Sequence, residues 1–337
     1  MASAALVLTS LASCDKVSPF GILVANTSTD ERVEMSYKYF QEQNENYWAY
    51  ALEEGQDEYT FLVGADSHLE ADTGRLAEMF QMCLDNNDLM CAHLGDIADT
   101  KADCYILLEK LIKNYRQKYI DKQFNYNYET GTYTKKTQYG DQNIASVPLY
   151  EQEIEFPLHV AVGNHDITRN GWALFSNIFR SSFFQVYVVT DWKNKECDRF
   201  IFLDSASGTL GNYQIDLLEN DFDGVVAQGY KTRHVFVFTH TNIFRPQLDQ
   251  FSSTYPREEL YYLLNKFKEW ESKIVFLGHV HTWDERQFNG IQYLILDSMG
   301  ERNSPDPGDY LVRVHVKKDG DVSYERVRMN YVKKDKK

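Results

Sequence analysis

Carboxylates, one amide and several imidazoles recur in five short blocks of this chain, and these residue types are ligands of divalent metal ions. Nucleic-acid-binding motifs and the dinucleotide-binding fingerprint use other residues. The combination therefore predicts a metal site. The blocks are Asp66-Ser67-His68, Gly95-Asp96, Gly163-Asn164-His165-Asp166, His240 and Gly278-His279-Val280-His281.

Most of these blocks directly follow an apolar, β-branched run that predicts a buried strand. Ligands in α/β folds bind at the edge where strands end and loops begin. The predicted strands therefore bring the polar side chains to one edge. They are Tyr59–Gly64, Leu89–Leu94, Leu158–Val162, Val235–Phe238 and Ile274–Leu277.

The spacing within the blocks supports a shared site. Residues two apart in a strand face the same way, so Asp66 and His68 can point at one ion. His279 and His281 do the same if strand geometry persists, unless they serve adjacent ions. The number of donors favours two ions, about 3.5–4 Å apart, with Asp96 as the bridging carboxylate. The alternative is that each block is a strand-end turn with satisfied polar residues.

The pattern D-x-H, G-D-x-x-D, G-N-H-D, H and G-H-x-H resembles that of the calcineurin-like metallophosphoesterases, from about Tyr59 to about Gly300. The resemblance implies an α/β fold, a four-layer α-β-β-α sandwich of two mixed sheets flanked by helices. It implies that one metal takes Asp66, His68, Asp96 and His281, and the other Asp96, Asn164, His240 and His279. It also implies that His165 donates a proton to the leaving group, with Asp99 and Asp166 as candidates to orient its imidazole.

Some residues depart from better-known branches of that family. Thr100-Lys101 stands where the Ser/Thr protein phosphatases carry Arg-Gly after the second Asp of G-D-x-x-D. Asp99 stands where purple acid phosphatases place a Tyr. These two departures therefore disfavour the Ser/Thr protein phosphatase and purple acid phosphatase branches.

The leading hypothesis is hydrolysis of a phosphoester by a hydroxide that bridges two divalent ions. The mixed ligand set suits Mn, Fe, Zn, Co or Ni. One alternative is a lipid-anchored protein that keeps the metal site without turnover. Another is a dinuclear hydrolase that acts on a carbon centre, such as an amide or lactone.

The resemblance implies a phosphorylated substrate, and the composition favours a small one over a polymer. The 337 residues carry a formal net charge of −15, which argues against a nucleic-acid polymer as the main ligand. Two divalent ions would nevertheless make the site itself locally positive.

The amino terminus predicts export. Residues 2–12 are small and apolar, and Leu11-Ala12-Ser13-Cys14 resembles the cleavage box of bacterial lipoproteins. No Lys or Arg precedes Lys16, so the usual basic region is missing. We expect an exported protein that is held at a membrane by a lipid on Cys14.

The predicted organisation is a signal segment at 1–14, an extension at 15–57 and a metallophosphoesterase domain at 58–331. Within that domain, residues 121–157 form a Tyr-rich insertion with a β-hairpin. It is either a cap over the site or a surface decoration. Predicted helices are Glu31–Gln43, Ala71–Asn86, Asp103–Ile120, Gly211–Phe222 and Arg257–Trp270.

Three further features complete the sequence-based predictions. Asn289-Gly290 is a strong signal for a hairpin turn, and two late strands follow it. Most of the cysteines other than Cys14 are predicted to be buried free thiols. His93 lies nearest to Asp96 among the histidines outside the blocks and is a candidate partner of the site.

Overall fold

The computed structural model describes residues 27–42, 48–136, 148–220, 229–245, 248, 250–299 and 310–330. The predicted lipid-attachment segment 1–14, with Cys14, lies outside these residues. The helices in the described part are α1 (Thr29–Glu42), α2 (Gly74–Asn86), α3 (Ala102–Gln123), α4 (Asn164–Ile167), α5 (Gly171–Phe179), α6 (Gly211–Asn220) and α7 (Arg257–Glu269).

The strands are β1 (Trp48–Ala51), β2 (Glu58–Gly64), β3 (Met90–His93), β4 (Phe124–Asn127), β5 (Thr132–Lys135), β6 (Leu158–Val160), β7 (Phe184–Asp191), β8 (Glu196–Leu203), β9 (Lys231–Thr239), β10 (Ile274–Leu277), β11 (Asp284–Phe288), β12 (Ile291–Ile295), β13 (Tyr310–Lys317) and β14 (Val322–Arg328).

Two mixed sheets form the centre of the molecule. One has seven strands in the order β1-β7-β8-β9-β10-β12-β11, and the other has five in the order β14-β13-β2-β3-β6. The central strands that precede the polar blocks are parallel: β2, β3 and β6 in one sheet, β9 and β10 in the other. Their carboxyl ends therefore lie at one edge of each sheet.

The alternation of side chains along the strands explains why both faces of each sheet are buried. On β9, Phe236 and Phe238 face the core between the sheets, whereas Val235 and Val237 face the outer helices. Phe61 of the opposite sheet contacts Phe236 across the core, with ring centroids 5.2 Å apart. Period-two patterns of large apolar residues on both faces require layers on both sides.

Helices cover the outer face of each sheet. Side chains of α2, α3 and α5 pack on the five-stranded sheet, and those of α1, α6 and α7 pack on the seven-stranded sheet. The predicted four-layer α-β-β-α sandwich is confirmed.

The segment predicted as an extension contributes directly to this sandwich. β1 pairs in parallel with β7 at the edge of the seven-stranded sheet. On α1, the guanidinium of Arg32 is fully buried and binds Asp204, with Nε–Oδ2 at 2.8 Å and Nη2–Oδ1 at 2.9 Å. Helix α1 and strand β1 are therefore packed into the same structure as the polar blocks.

The described part of the Tyr-rich insertion lies at the end of the sheets away from the polar blocks. Helix α3 starts close to Asp99, and its 22 residues carry the chain about 33 Å along the molecule. At the far end, Gln123 Nε2 donates to Asn87 Oδ1 (3.3 Å), just before β3 begins. The hairpin of β4 and β5 follows there, so its described residues form a surface hairpin and not a cap. Residues 137–147 of the insertion lie outside the described part.

Other sequence-based predictions are confirmed. β11 and β12 are antiparallel around Asn289 and Gly290, which have φ values of 51° and 78° as a tight hairpin requires. The cysteines that the structure describes are buried free thiols.

Within the described residues, no helix is both long and apolar enough to cross a membrane.

Candidate metal centre

The five polar blocks meet at the carboxyl ends of the central strands of the two sheets. Their donor atoms form closely spaced groups. We call Asp66, His68 and His281 the first cluster, and Asp96, Asn164, His240 and His279 the second cluster. The donor atoms of Asp66, His68 and His281 lie within 4.8 Å of one another. The same holds for the donor atoms of Asp96, His240 and His279.

In the first cluster, Nε2 of His281 lies 3.3 Å from Asp66 Oδ1 and 3.1 Å from Nε2 of His68. Ligand atoms that each sit about 2.0–2.1 Å from one tetrahedral metal ion are roughly 3.3 Å apart. The three side chains therefore have the spacing of ligands to one ion.

In the second cluster, Asn164 Oδ1 lies 3.0 Å from His240 Nε2 and 2.9 Å from His279 Nδ1. The two imidazole nitrogens are 3.2 Å apart. His240 Nδ1 faces the Leu94 carbonyl oxygen at 2.8 Å, and a carbonyl oxygen can only accept, so Nδ1 carries a proton. In neutral His240, Nε2 therefore presents a lone pair to the other donors of the cluster, which a cation would stabilise.

Asp96 links the two clusters through a single oxygen. Its Oδ2 lies 3.4 Å from His240 Nε2 and 3.9 Å from His68 Nε2. The other oxygen, Oδ1, accepts a hydrogen bond from the backbone N–H of His165 (2.7 Å). His165 also forms a group with His68 and Asp96 in which all donor atoms are close enough to share an ion.

The backbone of the polar blocks is left-handed, so the strand geometry assumed for Asp66 and His68, and set as a condition for His279 and His281, does not persist. Asp66, His68 and Asp96 have φ values of 52°, 42° and 52°, and His279 and His281 have values of 75° and 53°. Such conformations are uncommon for residues other than glycine and cluster at functional sites. Asp66 and His68 still converge, but His279 and His281 fall in different clusters.

One glycine is needed where two of these loops cross. A Cβ atom at Gly163 would lie 2.2 Å from both the backbone nitrogen and Oδ1 of Asp96. No side chain fits at that distance. Gly163 therefore allows the Asn164 loop to approach the Asp96 carboxylate.

The burial of the imidazoles favours the neutral form that metal ions bind. Burial lowers the pKa of His68 to about 4 and that of His279 to about 4. His281 differs: burial alone would lower its pKa, but the hydrogen bond with Asp66 raises it above the ordinary value. His68 and His279 can thus present lone pairs near neutral pH with little competition from protons.

The carboxylates experience opposing effects. Burial raises the pKa of Asp96 to about 7, with the neighbouring Asp66 acting in the same direction. Burial also acts to raise the pKa of Asp66, but the hydrogen bond with His281 and the nearby imidazoles hold it below the usual range. Two buried carboxylates this close are a natural environment for divalent cations, which compensate both charges.

The two proposed orienting carboxylates lie in different surroundings. Asp99 Oδ1 is 3.9 Å from His68 Nδ1, and its other oxygen is 3.7 Å from Lys101 Nζ. Asp166 is fully buried and accepts hydrogen bonds from backbone N–H groups and from the hydroxyl of Tyr105. Its described contacts thus hold the loops, which is a different role from orienting the His165 ring.

His165 is the exposed member of the group. Its ring lies edge-on to that of His68, with centroids 4.7 Å apart. Its backbone is fixed on both sides, since its N–H donates to Asp96 and its carbonyl accepts from Thr100 Oγ1 (2.5 Å). The imidazole therefore faces solvent from a rigid position beside both clusters.

His93 is fully buried next to this region, and burial lowers its pKa to about 3. Among the described residues, neither ring nitrogen has a hydrogen-bond partner.

Sequence reasoning missed Tyr105, because a tyrosine in the first turns of a predicted helix carries no signal of a contact across the sheet edge.

Comparisons with known proteins agree with this geometry. A family model described as calcineurin-like phosphoesterase matches residues 59–283. A search of curated protein sequences found no match.

Among solved structures, the chain is similar to GAP50, the anchor in the inner membrane complex of Plasmodium (12% identity, 82% of this chain and 90% of that chain, TM-score 0.46). It is similar to TT1561 of Thermus thermophilus (10% identity, 80% and 99%, TM-score 0.41). It is also similar to a dimetal phosphatase from Danio rerio (11% identity, 82% and 100%, TM-score 0.40). These identities are too low to transfer a substrate.

The family match spans most of the chain and includes all the residues of both clusters. Together with the His/Asp donor groups, it supports a metal-dependent phosphoesterase. The chain belongs to the calcineurin-like phosphoesterase family.

Proposed function

We propose that the protein hydrolyses phosphoesters with a dinuclear metal centre. The observation that carries the proposal is the position of Asp96 Oδ2, which lies 3.4 Å from a donor atom of the second cluster and 3.9 Å from one of the first. A single oxygen between two sets of ligands is the arrangement expected of a bridging carboxylate. In this proposal, Asp66, His68, Asp96 and His281 hold one ion, and Asp96, Asn164, His240 and His279 hold the other.

The ligand residues fit divalent ions of the Mn, Fe, Zn, Co or Ni type, since they combine imidazole, carboxylate and amide donors. When bound, two such ions would supply a bridging hydroxide as nucleophile and positive charge for the phosphoryl oxygens. The chain itself supplies a fixed frame, because left-handed backbone at the proposed ligands persists only where the surrounding structure holds it.

In the same proposal, His165 donates a proton from its imidazole to the departing oxygen of the substrate. Its exposure and its edge-on contact with His68 support this role, because the ring can meet a substrate that lies on the clusters. Histidine is the side chain that most often transfers protons in enzyme catalysis. The hydrogen bond from the backbone N–H of His165 to Asp96 Oδ1 holds the backbone of the proton donor next to the proposed bridge.

For the substrate we propose a small phosphorylated molecule, since the net charge of −15 would repel a long polyanion.

We further propose that the protein is exported and anchored by a lipid on Cys14. The support for the anchor is the apolar run of residues 2–12 and the sequence Leu11-Ala12-Ser13-Cys14.

The proposal is tested by assaying one preparation after removal of metal and after reloading with Mn²⁺. The substrates are a phosphomonoester, a phosphodiester, a carboxylic ester and a lactone. We expect hydrolysis of at least one phosphoester, and only in the reloaded protein. Activity confined to the carboxylic ester or lactone would favour a carbon-centred hydrolase. A reloaded protein that binds metal and hydrolyses none of the four would favour a binding protein.

A further inference from the structure

Asp166 lies where three chain segments of the metal centre meet. Its Oδ2 accepts hydrogen bonds from the backbone N–H groups of Asp96 (2.8 Å) and Gly163 (2.9 Å). Its Oδ1 accepts from the N–H of Ile97 (3.2 Å) and from the hydroxyl of Tyr105 (3.0 Å). One carboxylate thus binds the loop after β3, the loop after β6 and helix α3.

These contacts connect Asp166 to the proposed bridging ligand Asp96, and through it to His165. Asp166 accepts from the backbone of Asp96, and the Asp96 carboxylate accepts from the backbone of His165. The position of His165 relative to Asp96 therefore depends on the backbone that Asp166 holds. A shift of the Asp166 carboxylate would move both residues.

Tyr105 is the side-chain donor in this arrangement. It lies in the first turns of α3, is 3% exposed and packs in the core between that helix and the five-stranded sheet. Because its ring is fixed by packing, its hydroxyl reaches Asp166 from a rigid element. The other three donors are backbone groups of the two loops themselves, so among these four contacts Tyr105 alone ties the carboxylate to a helix.

We propose that Tyr105 is a positioning residue for the metal centre, which acts through Asp166 to hold Asp96 and His165 in register. The inference rests on the proposed phosphoesterase function for its activity readout. Direct partners of metal ligands affect metal affinity or activity by about 10–100-fold, and Tyr105 acts through one such partner, Asp166.

The test is Tyr105→Phe, which keeps the packed ring and removes only the hydroxyl. At saturating Mn²⁺, we expect kcat to fall about 10–100-fold while KM stays close to that of the wild type. The loss should be larger for an alkyl phosphate than for a nitrophenyl phosphate, because only the alkoxide needs a well-placed proton donor.

Tyr115→Phe is the matched control. Tyr115 lies on the same helix, is 5% exposed and packs against Phe80 and Phe156. Its substitution should leave kcat, KM and the leaving-group dependence unchanged. Equal losses in both variants, or a wild-type kcat in Tyr105→Phe, would overturn the proposal.

A double-mutant cycle separates positioning from general stability. If Tyr105 acts through Asp166, adding Tyr105→Phe to Asp166→Asn should cause little further loss of kcat. Fully additive losses would mean that the two residues act independently, which contradicts the proposal. Thermal unfolding of each variant identifies any that fail to fold.

Mn²⁺ affinity provides a readout that does not need turnover. Calorimetry gives the Kd of the more weakly bound Mn²⁺. We expect this Kd to be about 10–100-fold higher in Tyr105→Phe than in Tyr115→Phe. If the wild type hydrolyses no phosphoester, the proposed function fails and this measurement alone judges the role of Tyr105. Equal affinities in the two variants would then reject it.

Discussion

Asp96 carries more of the proposed centre than any other single side chain. Its Oδ2 faces donors of both clusters, its Oδ1 accepts from His165, and its backbone N–H donates to Asp166. Burial raises its pKa to about 7, so the ionised carboxylate depends on nearby positive charge. A residue in this position should affect both ions at once.

We predict that Asp96→Asn lowers the bound metal from about two ions per chain towards one or none and abolishes phosphoester hydrolysis. Elemental analysis of the folded variant makes the measurement. The control is Asp198→Asn, which removes a fully buried carboxylate from a structural pair with Arg233 (2.6 Å). That control should lower Tm and leave the metal content unchanged. An Asp96 variant with both metals in place would disprove the bridge.

We predict that His165→Asn keeps both metals and lowers turnover by about 10²–10⁴-fold for an alkyl phosphate. A nitrophenolate leaves without much help, so its phosphate should be affected least. Kinetics on both substrates, with metal content measured on the same samples, provide the test. Loss of metal would instead make His165 a ligand, in line with its proximity to His68 and Asp96. Equal slowing of both substrates would place its action on the phosphoryl oxygens.

The residue types at the site were predictable, but the backbone that presents them was not. Asp66 and His68 were expected to share a direction because strand residues two apart do so. They converge instead through left-handed turns, in which each side chain is redirected separately. Sequence spacing reports which residues follow a strand, but not the φ values that tertiary contacts such as the Gly163 crossing impose.

At the scale of elements, apolar periodicity predicted the buried central strands well. β10 has the predicted bounds, and β2 begins only one residue earlier than expected. The edge strand β1 and the strand β7 were not predicted, and neither was helix α5. β1 has four residues, too few for a period to show, and depends on its pairing with β7.

The path of α3 explains why a cap was a reasonable but incorrect option for the described hairpin. The insertion lies in sequence between Asp96 and Asn164, which suggests proximity to the site. A helix of 22 residues intervenes and carries the chain to the opposite end of the sheets. Proximity in sequence was therefore lost through the length of one element.

We predict that replacing the hairpin residues 125–134 with a tight turn leaves hydrolysis unchanged for both a small aryl phosphate and a larger phosphoester. Phe124 is retained because it is buried with Ile120 and Ile154. The measurement compares kcat/KM of the shortened variant with that of the wild type for each of the two substrates. A selective loss on the larger substrate would return the hairpin to a role at the site.

At the scale of the whole molecule, helix α1 is joined to the sandwich by a buried ion pair. Arg32 and Asp204 are fully buried, 172 residues apart in sequence, and Arg32 Nη2 also donates to Ser207 Oγ (3.1 Å). Removal of one partner leaves an uncompensated buried charge. The helix should therefore matter for the stability of the entire sandwich.

We predict that Arg32→Met lowers the free energy of unfolding by about 3–5 kcal/mol. The control on the same helix is Lys38→Met, which breaks an exposed pair with Glu34 (2.7 Å) and should change stability by about 0–1 kcal/mol. Urea unfolding of both variants gives the comparison. Equal, small effects would show that the helix is not an integral part of the fold.

We propose that two ions sharing Asp96 are needed for phosphoester hydrolysis, and a metal titration tests this requirement most directly. Metal-free protein is titrated with Mn²⁺ while hydrolysis of a phosphoester is recorded. We predict no turnover without metal and full activity only as the ratio approaches about two ions per chain. Full activity in the metal-free protein, or a plateau at one ion per chain, would contradict it.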